Sequence, residues 1–294
     1  MNGKHTAMKF MISILGVLLI VSVAQGQETP EEPENPDRFV LYDGFLTPYI
    51  DFNRWSTRLT PERFIHDMSR HVVEGRLVKR LRIHGGSDEN TGLVAGSNRM
   101  TLRRNRDAIV AVRFEAEMVS LQVVGCPGLN PEPSKALMGF LGTLFYDGSF
   151  REEDDFTTGN VFALLRVFRE SSSTQLPGIL TIEGVVFRCG NSDCSNQEEF
   201  GVVSLGQATV GVSRLYTVRW DLMGGQVSFQ VDDEAPQTVF YSANVNRVGG
   251  SKTLLTRSEA AKCMVEQDPF ADTITTPVAD TEAAYATIEV IRTP

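Results

Sequence analysis

The longest regular pattern in the chain lies between Ile109 and Leu121, where Val110, Val112, Phe114, Ala116 and Met118 alternate with Ala111, Arg113, Glu115 and Glu117. Successive side chains of a β-strand point to opposite faces, so this pattern predicts a strand with one face in a core and the other toward water. Similar runs occupy residues 76–83, 136–146, 161–169, 178–188, 215–222, 226–232 and 284–291. Turn signals separate them: Asp147-Gly148, Leu176-Pro177-Gly178 and Gly224-Gly225, the last joining the segments around Trp220 and Phe229 in a hairpin. Helical periodicity is sparse, and only residues 61–73 and 257–265 suggest short helices. Many short strands with Gly-rich turns and one continuous apolar pattern predict an all-β sandwich or jelly roll with few short helices.

The N-terminus departs from this pattern. Lys4 and Lys9 precede an apolar run from Phe10 to Val23, followed by the small residues Ala24 and Gly26. These are the parts of a secretory signal, with cleavage expected after Gly26. The apolar run is shorter than the roughly 20 residues that a spanning helix needs. Residues 27–37 combine acids and prolines with no large apolar side chain and predict a disordered leader. Residues 38–294 then read as one sandwich domain, exported to the periplasm or the medium, with no transmembrane segment after signal cleavage.

Charge narrows the partners. The chain carries 28 Lys and Arg against 37 Asp and Glu, a formal net charge of −9, and losing residues 1–26 removes two lysines and no acid. An acidic surface argues against nucleic acid, which needs cations against its phosphates. The basic clusters Lys79-Arg80-x-Arg82 and Arg103-Arg104-x-Arg106 read as solvated strand ends and turns. All four cysteines fall after the signal, and an even count in an exported protein points to disulfides. Cys189 and Cys194 bracket Gly-Asn-Ser-Asp, so the expected pairs are Cys189 with Cys194 and Cys126 with Cys263.

Several short segments resemble the concanavalin A-like lectin/glucanase superfamily. Asp43-Gly44-Phe45, Asp51 and Asn53-Arg54-Trp55 resemble its first strand and turn, and Trp220-Asp221 with Val231-Asp232 resemble its "W … V-D" hairpin. The resemblance implies a concanavalin A-like jelly roll of two stacked antiparallel sheets, one curved, with residues 285–291 returning beside the first strand. Family-16 glycoside hydrolases of that superfamily carry E-x-D-x-x-E on one strand, and this chain contains no such string.

The nearest substitute is Arg113-x-Glu115-x-Glu117, whose side chains share a sheet face with neighbouring carboxylates about 7 Å apart by strand rise. That set could bind sugar hydroxyls, or hold an acid and a base; its plainer reading is a solvated face with an Arg–Glu pair. Asp147, Glu152, Glu153, Asp154 and Asp155 crowd one loop and make it a candidate calcium site. Histidine chemistry has little to work with: His66, His71 and His84 show no metal or nucleophile spacing, and no G-x-S-x-G elbow occurs. Trp55, Trp220, Tyr146, Phe150 and Phe156 are the rings suited to stacking on sugar, the tryptophans reading more as core. Together these features predict an exported, non-catalytic, lectin-like module for a glycan or a cell-surface protein. The alternatives are a polysaccharide-active enzyme using Glu115 and Glu117 and a structural envelope protein.

Overall fold

Period-two alternation governs almost every element. The computed structural model describes residues 38–61, 65–85, 94–104, 106–126, 133–261 and 276–293. The expected signal and leader lie outside the described residues. In chain order the strands are β1 (Val40–Asp43), β2 (Trp55–Pro61), β3 (Ile65–Val73), β4 (Arg76–His84), β5 (Val94–Leu102), β6 (Ile109–Val124), β7 (Lys135–Tyr146) and β8 (Asn160–Glu170). They continue as β9 (Ile179–Cys189), β10 (Gln197–Thr209), β11 (Arg214–Asp221), β12 (Gln226–Val231), β13 (Gln237–Phe240), β14 (Arg247–Val248), β15 (Lys252–Ala260) and β16 (Val278–Arg292). One three-residue 3-10 turn, Arg106–Ala108, is the helical element among the described residues, and no helix there is long and apolar enough to cross a membrane.

The strands form two antiparallel sheets. Sheet 1 runs β13-β12-β11-β6-β16-β4-β3, with β1 added beside β16; sheet 2 runs β10-β9-β8-β7-β15-β5-β2, with β14 beside β7. The expected return of the last strand to the first is present, Val40 pairing with Val290 and Leu41 with Glu289. So is the hairpin at Gly224-Gly225, in which Tyr216 faces Val231 and Asp221 faces Gln226. The chain is thus the jelly-roll sandwich of two antiparallel sheets that the pattern predicts.

Two segments differ from expectation. Residues 61–73 and 257–265 suggest helices, of which 62–64 and 262–265 lie outside the described residues; in the rest β3 pairs along β4, and β15 runs between β5 and β7 through Ala260. Partners on both sides of β15 satisfy its backbone groups, and five consecutive residues from Lys252 are buried. That tertiary context overrides weak local helical preference.

Inward side chains of both sheets share one core, with Trp55, Phe114, Phe140, Tyr216, Phe229 and Tyr285 among its largest members. Polar bonds also cross between the sheets: the Tyr285 hydroxyl donates to the Leu255 carbonyl, and Lys79 Nζ donates to the Leu254 carbonyl at 2.7 Å. Lys79 is completely buried, a correction to its reading as a solvated strand-end cation, because it alternates inward between the outward-facing Val78 and Arg80.

The segments that resemble the lectin/glucanase superfamily have structural work in this fold. Asp43 accepts the Trp55 indole N–H at 2.7 Å and the Phe45 amide at 2.8 Å. The Asp51 carbonyl accepts the amides of Arg54 and Trp55, and Asp232 accepts the Leu215 amide while pairing with Arg214. These acids seat strand ends.

Candidate functional site

The outward faces of the two sheets differ in chemistry. On sheet 1 the outward positions carry ion pairs: Arg80 and Arg82 with Asp280, Arg76 with Glu117 and Arg113 with Glu289. Arg113, Glu115 and Glu117 therefore do share the predicted face of β6, but each is engaged there. The Arg113 guanidinium bonds Glu289 at 2.6 Å and lies over the Phe39 ring, Glu115 accepts the Ser213 hydroxyl at 2.8 Å, and Glu117 meets Arg76 at 2.9 Å. Partly exposed pairs of this kind contribute little to stability, and none of these side chains lines either of the two depressions on sheet 2.

Sheet 2 turns an apolar strip outward instead. Val185, Phe187 and Cys189 of β9 form a separate buried cluster with Leu141, Phe162, Leu164 and Cys194 against it. Phe162 and Phe187 stack with centroids 5.4 Å apart and planes at 16°. Each of these strands already uses its alternate residues for the main core, so this outer cluster is an additional apolar surface on the far side of the sheet. It floors a depression of about 1040 Å³ that crosses β5, β15, β7, β8 and β9. Thr143, Phe156, Asn160 and Ser251 are shared with an adjoining depression of about 590 Å³, so the two make one continuous groove.

Loops build its walls. Phe156 is 77% exposed at the groove edge, and the turn from Asp193 to Asn196 is fixed by the Cys189–Cys194 disulfide. That bond is the expected one; Cys126 is also disulfide-bonded, while Cys263, its expected partner, lies outside the described residues. Two carboxylates at the wall are engaged. Glu259 pairs with Arg257, and the Ser195 N–H donates to Asp193, holding that carboxyl below its usual range.

The acidic loop does not assemble into a cage. Burial pushes the Asp147 carboxyl up, but the Ser149 contacts and the Arg188 guanidinium at 2.8 Å outweigh it and hold it below the ordinary range. Asp155 accepts the amides of Thr157 and Thr158, whereas Glu152, Glu153 and Asp154 are exposed. Among the described residues no three His, Cys, Asp or Glu side chains gather closely enough to hold a metal ion. Of the rings suited to sugar, Trp55 and Trp220 are core, Phe150 is 89% exposed, and Tyr146 and Phe156 border the groove.

Beyond Tyr146, Phe156 and the acidic β7–β8 loop, sequence reasoning does not find this groove, because its residues are scattered from Arg99 to Glu259 and only strand order brings them together. The available signal was the outward-facing apolar set Leu137, Leu141, Phe162, Leu164, Val185 and Phe187, which leaves β7, β8 and β9 apolar on both faces.

No family of known proteins matches the sequence, and no curated protein matches it. Similar solved structures include a laminarinase from Flavobacterium sp. UMI-01, at 12% identity and TM-score 0.46 over 87% of this chain and 100% of that one. They also include the catalytic domain of an endo-1,3-β-glucanase from Thermotoga petrophila RKU-1, at 14% identity and TM-score 0.46 over 86% and 97%. A third is a glycoside hydrolase family 16 endo-glucanase from Bacteroides ovatus, at 10% identity and TM-score 0.47 over 84% and 98%. Likenesses this distant leave the chemistry of the groove to be argued from its own residues.

Proposed function

We propose that this is an exported, non-catalytic binding module whose ligand is a glycan lying along the outer groove of sheet 2. The observation that carries the reading is the outward apolar floor around the stacked Phe162 and Phe187 beneath an open groove. Ligand sites combine apolar lining with a few placed polar groups. A pyranose ring has a C–H face suited to such a floor, and Asn160, Asn196, Gln197 and Thr253 along the groove offer partners for its hydroxyls. Hydrolysis would require two carboxyl groups flanking the scissile bond, roughly 5 to 9.5 Å apart. The floor here is built of Leu137, Leu141, Phe162, Leu164, Val185, Phe187 and Leu255, and three of the four carboxylates on the walls, Asp107, Asp193 and Glu259, are held by neighbours, which favours retention of a sugar over cleavage.

A glycan array on the purified protein, scored for retention and for release of reducing ends, with and without calcium, tests this. Retention without release, reduced at least about tenfold by Phe187→Ala and unchanged by Glu115→Ala, is the expected outcome. Release of reducing ends would put an enzyme in its place. Silence across plant, algal, animal and bacterial glycans would move the structural envelope reading ahead.

A further inference from the structure

The charge of the groove runs against that of the molecule. Seven cationic side chains line it, Arg99, Arg106, Lys135, Arg151, Arg166, Arg247 and Arg257, against the four carboxylates Asp107, Asp193, Glu199 and Glu259. The whole chain has 28 cations against 37 acids. Four of the seven have carboxylate partners: Lys135 with Glu170, Arg166 with Glu183, Arg257 with Glu259 and Arg106 with Asp107. Arg99, Arg151 and Arg247 have none within ion-pair distance among the described residues.

Of the three, Arg99 stands in a position that the fold alone does not favour. Arg99 on β5 is directly opposite Arg58 on β2, with Arg257 diagonal to it on β15. Like charges set across neighbouring strands repel. The Arg99 Nε donates to the Ser97 hydroxyl at 2.9 Å, and its burial, with Arg257 and Arg58 beside it, lowers its proton affinity. At the other end Arg151 lies 3.5 Å from the Tyr146 ring centroid with its buried Nε unpartnered, and Arg247 is the register partner of the same Tyr146. In β7, Gly139 is level with Leu255 and hence with Arg99, whereas Tyr146 lies seven positions further along. By strand rise, the two guanidinium groups are roughly 20–25 Å apart along the groove. Guanidinium forks match carboxylate and sulfate geometry, and two such sites along one groove fit an extended chain with repeated negative charge.

We infer that the groove selects an anionic glycan, one bearing carboxylate or sulfate groups that reach Arg99 at one end and Arg151 and Arg247 at the other. This rests on the glycan-binding reading above and names its ligand class. The floor receives the sugar C–H faces, and the anionic groups replace the missing carboxylate partners at the two ends.

The test compares matched polymers by affinity electrophoresis or calorimetry: polygalacturonate against its methyl ester, chondroitin sulfate against desulfated chondroitin, and a neutral β-glucan, with a DNA oligonucleotide as an unrelated polyanion. Tighter binding of an acidic polymer than of its neutral counterpart by about tenfold, weakened severalfold at high salt, is expected. Arg247→Gln should weaken that binding while Arg247→Lys retains part of it, and Arg76→Gln on sheet 1 should leave it unchanged. Arg99→Gln carries an opposed pair of outcomes: lower affinity together with a higher Tm, because it removes a repelled charge. Equal binding of acidic and neutral forms would overturn the charge selection while leaving the glycan module in place. Failure of every glycan would overturn both. DNA binding as tightly as the acidic glycans would replace this inference with unselective polyanion attraction.

Discussion

Gly184 on β9 marks how closely the sheets approach. A Cβ there would stand 2.4 Å from the Phe229 ring, which is itself fully buried in the shared core. A ring packed on all sides has no room to withdraw, so Gly184→Ala overpacks the core and is expected to cost about 1–3 kcal/mol in denaturant unfolding. Adding Phe229→Leu should recover part of that loss, giving a favourable coupling in a double-mutant cycle. A Gly184→Ala protein as stable as the parent would mean that the sheets part easily at this point. Phe229 thus has a double bearing, since the strand that Gly184 belongs to also carries Val185 and Phe187 of the groove floor on its other face.

At the scale of elements, β9 and its disulfide join core to groove. Cys189 ends the strand, and its bond to Cys194 closes a loop whose next residues, Ser195 and Asn196, line the groove. Chain-entropy arguments give so short a loop about 2 kcal/mol, so the double change Cys189→Ser/Cys194→Ser should lower unfolding free energy by about that amount. It should also weaken glycan retention, and a loss confined to stability would detach this loop from the ligand. The pairing was legible from spacing alone, as were β4, β6, β11 and β12, in which mostly apolar inward residues alternate with mostly polar outward ones. β5 was not, because VAGSNRMTL holds too few large apolar residues to show a period. β15 was misread because a strand buried on both faces loses its alternation. The groove was illegible for a related reason. Glu115 and Glu117 are neighbours in sequence, whereas Arg99, Arg151 and Arg247 come to one groove only through sheet order.

For the molecule as a whole, ionisable groups sealed between and beside the sheets set the alkaline stability profile. Burial holds the Lys79 amine well below its usual range, with Arg70 and Arg99 adding to the effect, and pushes Lys252 down to about 8. Lys252 is sealed with its amine donating to the Thr143 carbonyl at 2.9 Å. An amine whose folded pKa is depressed penalises the folded state while both states are charged. The penalty is relieved as pH rises from the folded value toward the unfolded one near 10.5, worth about 3 kcal/mol at most for Lys252. Buried tyrosines act later and in the opposite sense. Burial raises Tyr216 and Tyr285, and pushes Tyr241 up to about 12, so their contribution is complete below pH 10 and is lost above it as the unfolded chain ionises. Denaturant midpoints followed from pH 7 to pH 12 should therefore climb above about pH 8, peak near pH 10 and then fall. Lys252→Met should make the climb smaller, leaving the share of Lys79, and keep the fall in place, because the tyrosines remain. A parent protein whose stability declines steadily from pH 8 would show that water reaches these lysines and that the sandwich is looser around Lys79 and Lys252 than its packing implies.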